Sequence, residues 1–418
     1  MRRTVLALAA AIGLALAAPG LARGDEQTLT FTTGAIQVEG YGVATRAILA
    51  QSPPVDGYVV GLEAEVVDAL GNVQGRDAVM LHHIVFAKLG TPDLTCGGGA
   101  ERFYAEGEEG AKLALPAGYG YPNRAGDTWG LLYMLMNHRP QPLNGFIRYT
   151  VRYVTGEALT PVRPMWLDIR NCTGPDPVFD VPGGGRRGST YTRTADFRLP
   201  ESGRIVAGAA HLHGGGVRLE LRNATCGTTP FTSVPTWGGP VPRPILHEPG
   251  PTHMSQFTSA EGIPVAAGQT LRIAAVYDNA RPHTRAMGIM LLFLAPGDVS
   301  GCPPAPALDL DLGSPSSPPP FVVPLPRAPR GTVARVRRTT VREFRYGHER
   351  VSLPLGATFT WRFAGTLEHD VTVIGGPRGF SSPWTRRGEF RHRFTRRGTY
   401  RLFCSLHPTR MVQTVTVR

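Results

Sequence analysis

Short apolar runs, each closed by glycine, proline, asparagine or aspartate, recur along almost the whole chain, and hardly any uninterrupted helical period separates them. "TLTFTTGAIQV", "GYVVGLEAEVVD", "VMLHHIVFAKLG", "WGLLYMLMNH" and "GFIRYTVRYVT" come first; "GVRLELRN", "TLRIAAVYDN" and "MGIMLLFLA" follow, then "TFTWRF", "HDVTVIG", "TYRLFC" and "VQTVTV". Runs of this length, many of them alternating and all bounded by turn residues, read as strands. The 51 glycines and 38 prolines leave little room for long helices. The expected fold class is therefore all-β, and strands this numerous imply sandwiches.

The chain opens "MRRTVLALAAAIGLALAAPGLA". Two arginines, an apolar Ala-rich run and a close on small residues predict a secretory signal over residues 1–22, and hence a secreted or cell-envelope (periplasmic) protein. No later apolar stretch is long enough for a membrane helix. The roughly 395 residues that remain exceed what one core serves, so two or three domains are expected. The plainest boundary is the Pro/Ser-rich stretch that starts at Cys302, which favours an extended linker over 303–337. "VPGGGRRGSTY", residues 181–191, is the best break upstream of it. The expected order is two tandem jelly-roll-like sandwiches (25–185 and 186–302), the linker, and a Greek-key sandwich over 338–418.

Charge supports the separate last module. Between Arg327 and Arg418 there are 19 arginines, no lysine and five acidic residues, a balance of +14 against +12 for the whole chain. Such a surface is drawn to anionic cell-envelope polymers, acidic lipids or an acidic redox partner. Export and the lack of a recognition motif exclude nucleic acid as the partner.

Five cysteines in an exported chain leave one over. Three pairings are open to Cys96, Cys172, Cys226 and Cys302; nearness along the chain favours Cys96 with Cys172 and Cys226 with Cys302, one in each half of the upstream region. Cys404 needs another task. It sits in "FCSLHPTRM", where a strand ends at Cys404, a loop carries His407 and Met411, and the terminal strand follows. His369, at the start of "HDVTVIG", falls at a loop that could share that pole. One thiolate and two imidazoles with a weak axial thioether form the ligand set of a blue-copper electron-transfer site. Zinc suits the set poorly, because thioether is a poor zinc ligand. Over residues 338–418 the sequence resembles the cupredoxins, through Cys-x2-His-x3-Met with an upstream histidine. That resemblance implies copper held by His369, Cys404, His407 and Met411. Asp370 departs from the asparagine that many members carry there, which bears on hydrogen bonding around the ligands.

The upstream region has its own histidines: His82 and His83 in "MLHHIVF", His138 in "LLYMLMNH", and His211 and His213 in "AAHLHGGG". His211 and His213 alternate on a strand, so both face one side while Leu212 faces the core. Adjacent His82 and His83 can act together only at a bulge or a strand end. A His-His pair, a single His, a His-x-His and a later Met resemble the copper type II, ascorbate-dependent monooxygenases, and the surrounding text resembles the stress-induced nodulin-19-type proteins. The first resemblance implies a copper at His82, His83 and His138 and a second at His211, His213 and Met287. Ala209, Ala210 and Leu291 depart from that family's peptide-binding positions, which argues against a peptide substrate. A copper-free pair of structural or partner-binding sandwiches is the other reading of this region. His247 and His253, in Pro-rich loops, and His348 and His392 read as surface residues; His283 is a reserve ligand. No G-x-S-x-G, P-loop or H-E-x-x-H occurs, so hydrolase and nucleotide chemistry have no support.

Overall fold

The computed structural model describes residues 25–174, 176–238, 247–314 and 329–418. The expected signal segment and the middle of the expected linker lie outside these residues. Among the described residues there is no helix, and strands follow one another throughout, so the chain is all-β.

The first sandwich pairs Asp25–Thr32, Leu143–Thr155, Gly57–Val67, Tyr119–Asn123 and Thr160–Pro161 in one sheet. Its second sheet runs Val43–Ala50, Trp129–Asn137, Val79–Leu89, Ala100–Gly107. Phe86, Phe103, Trp129 and Tyr149 fill the space between them. In the second sandwich, Arg163–Asp168, Gly288–Pro296, Gly203–Leu212, Gln256–Val265 and Asp309–Asp311 form one sheet, and Thr190–Arg198, Thr270–Asp278, Gly216–Asn223 and Thr228–Ser233 the other.

Gly288–Pro296 explains the apolar run "GIMLLFLA". Ile289, Leu291 and Phe293 join the first sandwich's core, whereas Met290, Leu292 and Leu294 join the second's. A strand buried on both faces has no polar side to show. The two sandwiches are therefore packed sheet against sheet. Their boundary lies upstream of the expected 185/186: Arg163–Asp168 already pairs with Gly288–Pro296. The apolar pattern of "RPMWLD" suits either neighbour, and only the pairing decides it. One consequence concerns the disulfides, which pair Cys96 with Cys172 and Cys226 with Cys302. Because Cys172 follows Arg163–Asp168, the first bridge joins the two sandwiches instead of closing one half.

The third domain stacks Arg345–Tyr346, Arg338–Arg342, Thr358–His369, Thr385–Arg393 against Arg350–Leu353, Val412–Val417, Gly398–Phe403, Thr372–Gly375. Phe359, Trp361, Tyr400, Cys404 and Met411 share its core. It begins before 338, since Val336 packs on that core and Ala334 bridges Val351. It also docks on the second sandwich. Ser381 donates its N–H to Asp180 at 2.7 Å and its hydroxyl at 2.8 Å. Thr284 Oγ1 donates to the Val373 carbonyl at 2.8 Å, and Gly379 N–H to Pro182 O at 2.8 Å.

Candidate metal centres

In the third domain, Gly398–Phe403 delivers Cys404 to the sandwich pole, and a tight turn returns the chain. His407 N–H donates to Cys404 O and Met411 N–H to His407 O, both at 3.1 Å, while Cys404 N–H donates to Met411 O at 3.1 Å. The turn therefore holds Cys404, His407 and Met411 together by backbone bonds alone. His369, at the end of Thr358–His369, reaches the same point. Its Nδ1 stands 3.2 Å from His407 Nδ1 and 3.8 Å from Cys404 Sγ, and His407 Nδ1 is 3.5 Å from that sulfur. Cys404 is the free cysteine and is buried, as is Met411.

Burial pushes the His369 imidazole below its usual range, and burial with the neighbouring His369 takes His407 down to about 4. Burial, then the charge of Asp370, pushes the Cys404 thiol well up. Two imidazoles held toward their neutral form and a buried thiol suit a soft cation that would bind the thiolate. Asp370 stitches the surroundings: its carboxylate accepts Ser405 N–H at 2.6 Å, the Ser405 hydroxyl at 2.7 Å and the Thr372 hydroxyl at 2.7 Å. A carboxylate can take all three bonds as acceptor, which an amide cannot match. This is what the departure from asparagine accomplishes here.

The upstream histidines meet where the two sandwiches face each other. The register of Val79–Leu89 against Trp129–Asn137 shifts between Leu81 and His83, so His82 is a bulge residue. The bulge sets the His82 and His83 rings side by side, centroids 4.1 Å apart. His83 Nε2 lies 3.2 Å from His211 Nε2 and 3.0 Å from His213 Nε2. The far nitrogens of those two rings are committed: His211 Nδ1 contacts Glu109 at 2.9 Å, and His213 Nδ1–H donates to the Arg285 carbonyl at 2.7 Å. Leu212 is buried in the opposite core, as its place in the strand requires.

The grouping differs from the expected one. His83 stays ring to ring with His82, but its Nε2 meets His211 and His213. His82 Nδ1 instead contacts Glu108 Oε1 at 3.2 Å, and His247 Nε2 contacts the same oxygen at 2.5 Å. His138 stacks on His247, centroids 5.6 Å apart. One nitrogen each from His82, His83 and His213 still falls within 4.8 Å of the others. Glu108 Oε2 is occupied by Arg76 at 2.6 Å and Gly250 N–H at 3.0 Å. With every oxygen engaged, Glu108 acts as a brace for His82 and His247.

His247 was missed because its loop looks solvent-exposed in sequence; only the fold brings it to Glu108. Glu108 and Glu109 carry no periodic signal either. His283 is held by Glu248 at 2.9 Å, and His392 packs flat on Phe380, centroids 3.7 Å apart, where it is half-buried. Met287 is buried on the wall of the cavity described below, beside Ile289 and Leu291.

Burial, with the neighbouring His82, depresses His83 far below the usual imidazole range; burial and His211 do the same to His213. Burial would lower His211 as well, but the Glu109 carboxylate outweighs it and raises the net value. His83 and His213 are thus neutral, and His213 turns an Nε2 lone pair toward His83. Lone pairs meeting at such distances repel unless a proton or a cation lies between them. The set fits a metal that takes imidazole nitrogen, with copper and zinc both suitable by donor type.

These groups line a cavity of about 570 Å³. His83, His211, His213 and Met287 line it, together with Val373, Trp384, Phe403 and Ser405 of the third domain. Glu106, which also lines it, is pushed up to about 8 by burial.

No protein-family profile matches the chain, and no curated protein does. Among solved structures, the chain is similar to a purple cupredoxin from Nitrosopumilus maritimus at 26% identity, over 20% of this chain and 100% of that one, with a TM-score of 0.19. It is also similar to a mutant amicyanin in its reduced Cu(I) form at pH 4, at 24% identity, over 19% of this chain and 80% of that one, with a TM-score of 0.18. Both likenesses are to cupredoxins. The two span at most a fifth of the chain.

Proposed function

We propose that this is an exported copper protein whose third domain carries a type 1, blue copper electron-transfer centre. His369, Cys404 and His407 would hold the metal, with Met411 as the weak axial donor. The observation that carries this reading is the convergence of both Nδ1 atoms on the one free thiol, inside a turn fixed by its own backbone. Copper bound there would supply reversible one-electron exchange. The chain contributes rigidity: Asp370 fixes Ser405 beside Cys404, and burial keeps water from the sulfur. Two disulfides suit an oxidising compartment, and the arginine-rich third domain suits an anionic partner or envelope surface. The test is the visible spectrum of the copper-loaded protein. A thiolate-to-copper band that vanishes in Cys404→Ser supports the reading, and a colourless copper-loaded wild type defeats it.

A second reading, of a copper-dependent oxidoreductase, is favoured by one specific observation. Glu109 and the Arg285 carbonyl hold the Nδ1 atoms of His211 and His213, leaving both Nε2 atoms toward His83. We assign this set, with Met287 lining the same cavity, as an upstream copper site. Loss of one copper equivalent in His213→Ala supports the assignment; unchanged stoichiometry and Cu(I) affinity would reduce the two sandwiches to a scaffold.

A further inference from the structure

We infer that the redox partner of the third domain is the histidine cluster of the same chain, reached through Arg285, Asp370 and Trp384. This rests on the two-copper reading above and adds to it the route between the centres.

Arg285 touches both ends. Its carbonyl accepts from His213 Nδ1 at 2.7 Å. Its guanidinium lies 4.2 Å over the Trp384 ring, with Nη1 3.8 Å from Asp370 Oδ2. Both neighbours then converge on the residue bonded to Cys404. Asp370, which directly follows His369, accepts Ser405 N–H at 2.6 Å, and Trp384 Nε1–H donates to Ser405 Oγ at 3.0 Å. From imidazole to thiolate the path is thus continuous in covalent bonds, hydrogen bonds and one cation–π contact.

Arg285 is also held where it must be. Its N–H donates to Asp180 Oδ1 at 3.1 Å, and its guanidinium pairs with Asp176. Asp180 is the same carboxylate that receives Ser381 of the third domain, so the residue that bridges the centres shares its anchor with the domain contact. Arg285 adopts φ 54°, a left-handed conformation uncommon outside glycine. That backbone choice turns the carbonyl to His213 while the side chain enters the interface. A solvent-exposed copper domain serving external carriers alone would require none of this.

The transfer moves one electron. With copper held at both sites, the Cys404 centre would be the one-electron donor, going from Cu(I) to Cu(II), and the histidine cluster the acceptor, going from Cu(II) to Cu(I), with no bond made or broken in the chain.

The test is flash reduction of the blue centre in the fully copper-loaded, full-length protein, followed by recovery of the blue band. Recovery at a rate independent of protein concentration, matched by loss of the second copper's Cu(II) resonance, is the expected result. Arg285→Met keeps the carbonyl bond to His213 but removes both side-chain links, and should slow recovery several-fold. Trp384→Phe keeps a ring and loses the Ser405 bond, and should slow it less. The type 1 spectrum and potential, with copper content, show in each variant whether the centres are intact. Recovery that scales with protein concentration overturns the inference while leaving both copper sites standing. So do unchanged rates in both variants with intact centres. A protein that loads one copper only, or none that is blue, instead overturns the two-copper reading and the route with it.

Discussion

Glu109→Gln isolates the contribution of one carboxylate to the upstream site. Glu109 is nearly buried, accepts Gly107 N–H at 3.0 Å and holds His211 Nδ1 through both oxygens at 2.9 and 3.0 Å. It does two things to His211: it fixes Nδ1 as the protonated nitrogen, and it makes Nε2 more basic. Glutamine keeps the shape and an acceptor oxygen but loses the charge, and its NH2 can instead select the wrong tautomer. Losing such a partner costs about 10- to 100-fold in metal affinity, or about 1.4–2.7 kcal/mol. The sign of the pH dependence follows from the raised proton affinity of His211. The wild-type site must expel a proton that the glutamine variant holds less tightly. The deficit should therefore be greatest at alkaline pH, once both sites have lost the proton, and shrink toward acid. The assay is a chelator-competition titration of copper in a Cys404→Ser background, which removes the type 1 thiolate. Equal affinities at high pH, or a deficit that widens as pH falls, would refute the role given to Glu109.

Met411→Leu should leave the protein blue and raise its potential, since losing a weak donor destabilises Cu(II) more than Cu(I); voltammetry that finds the potential unmoved removes Met411 from the axial position. His392, taken down to about 4 by burial with the Arg378 charge adding to the shift, is accommodated as the neutral form. Its contribution to stability is complete above about pH 6.5 and is lost as pH falls toward 4, so His392→Phe should flatten the acid limb of melting temperature against pH in the copper-loaded protein. Removing the Cys96–Cys172 bridge, which spans 76 residues of sequence, should cost about 4.5 kcal/mol in chemical denaturation on the chain-entropy estimate, and an unchanged midpoint would show that the two sandwiches do not depend on the tie.

Where the sequence was legible, local chemistry set the structure. The Cys404–Met411 turn is closed by its own backbone, so spacing alone brought three of the four expected copper ligands together. Alternation placed His211 and His213 on one face and Leu212 on the other. The His82 bulge was a stated condition for that pair to act together, and the register shift meets it. What sequence could not supply was long-range pairing. Arg163–Asp168 crosses to the second sandwich because of a partner some 120 residues later, which moved the boundary and changed what Cys172 ties together. The same limit scattered the histidines. His83 joins His211 and His213 across an interface between sandwiches, and Glu108 draws His82 toward His247 from another loop. Arg285 gave no signal at all: its importance comes from a carbonyl direction and a domain contact, neither of which leaves a pattern in side-chain types.

The most direct single measurement is copper per chain, read together with the optical and electron-paramagnetic spectra of the wild type, Cys404→Ser and His213→Ala. Two coppers are predicted: a blue one lost with the thiol, and a second that survives Cys404→Ser and disappears with His213. A single copper that follows Cys404 would leave a carrier on a structural scaffold, and a copper-loaded protein without a blue band would contradict the type 1 centre itself.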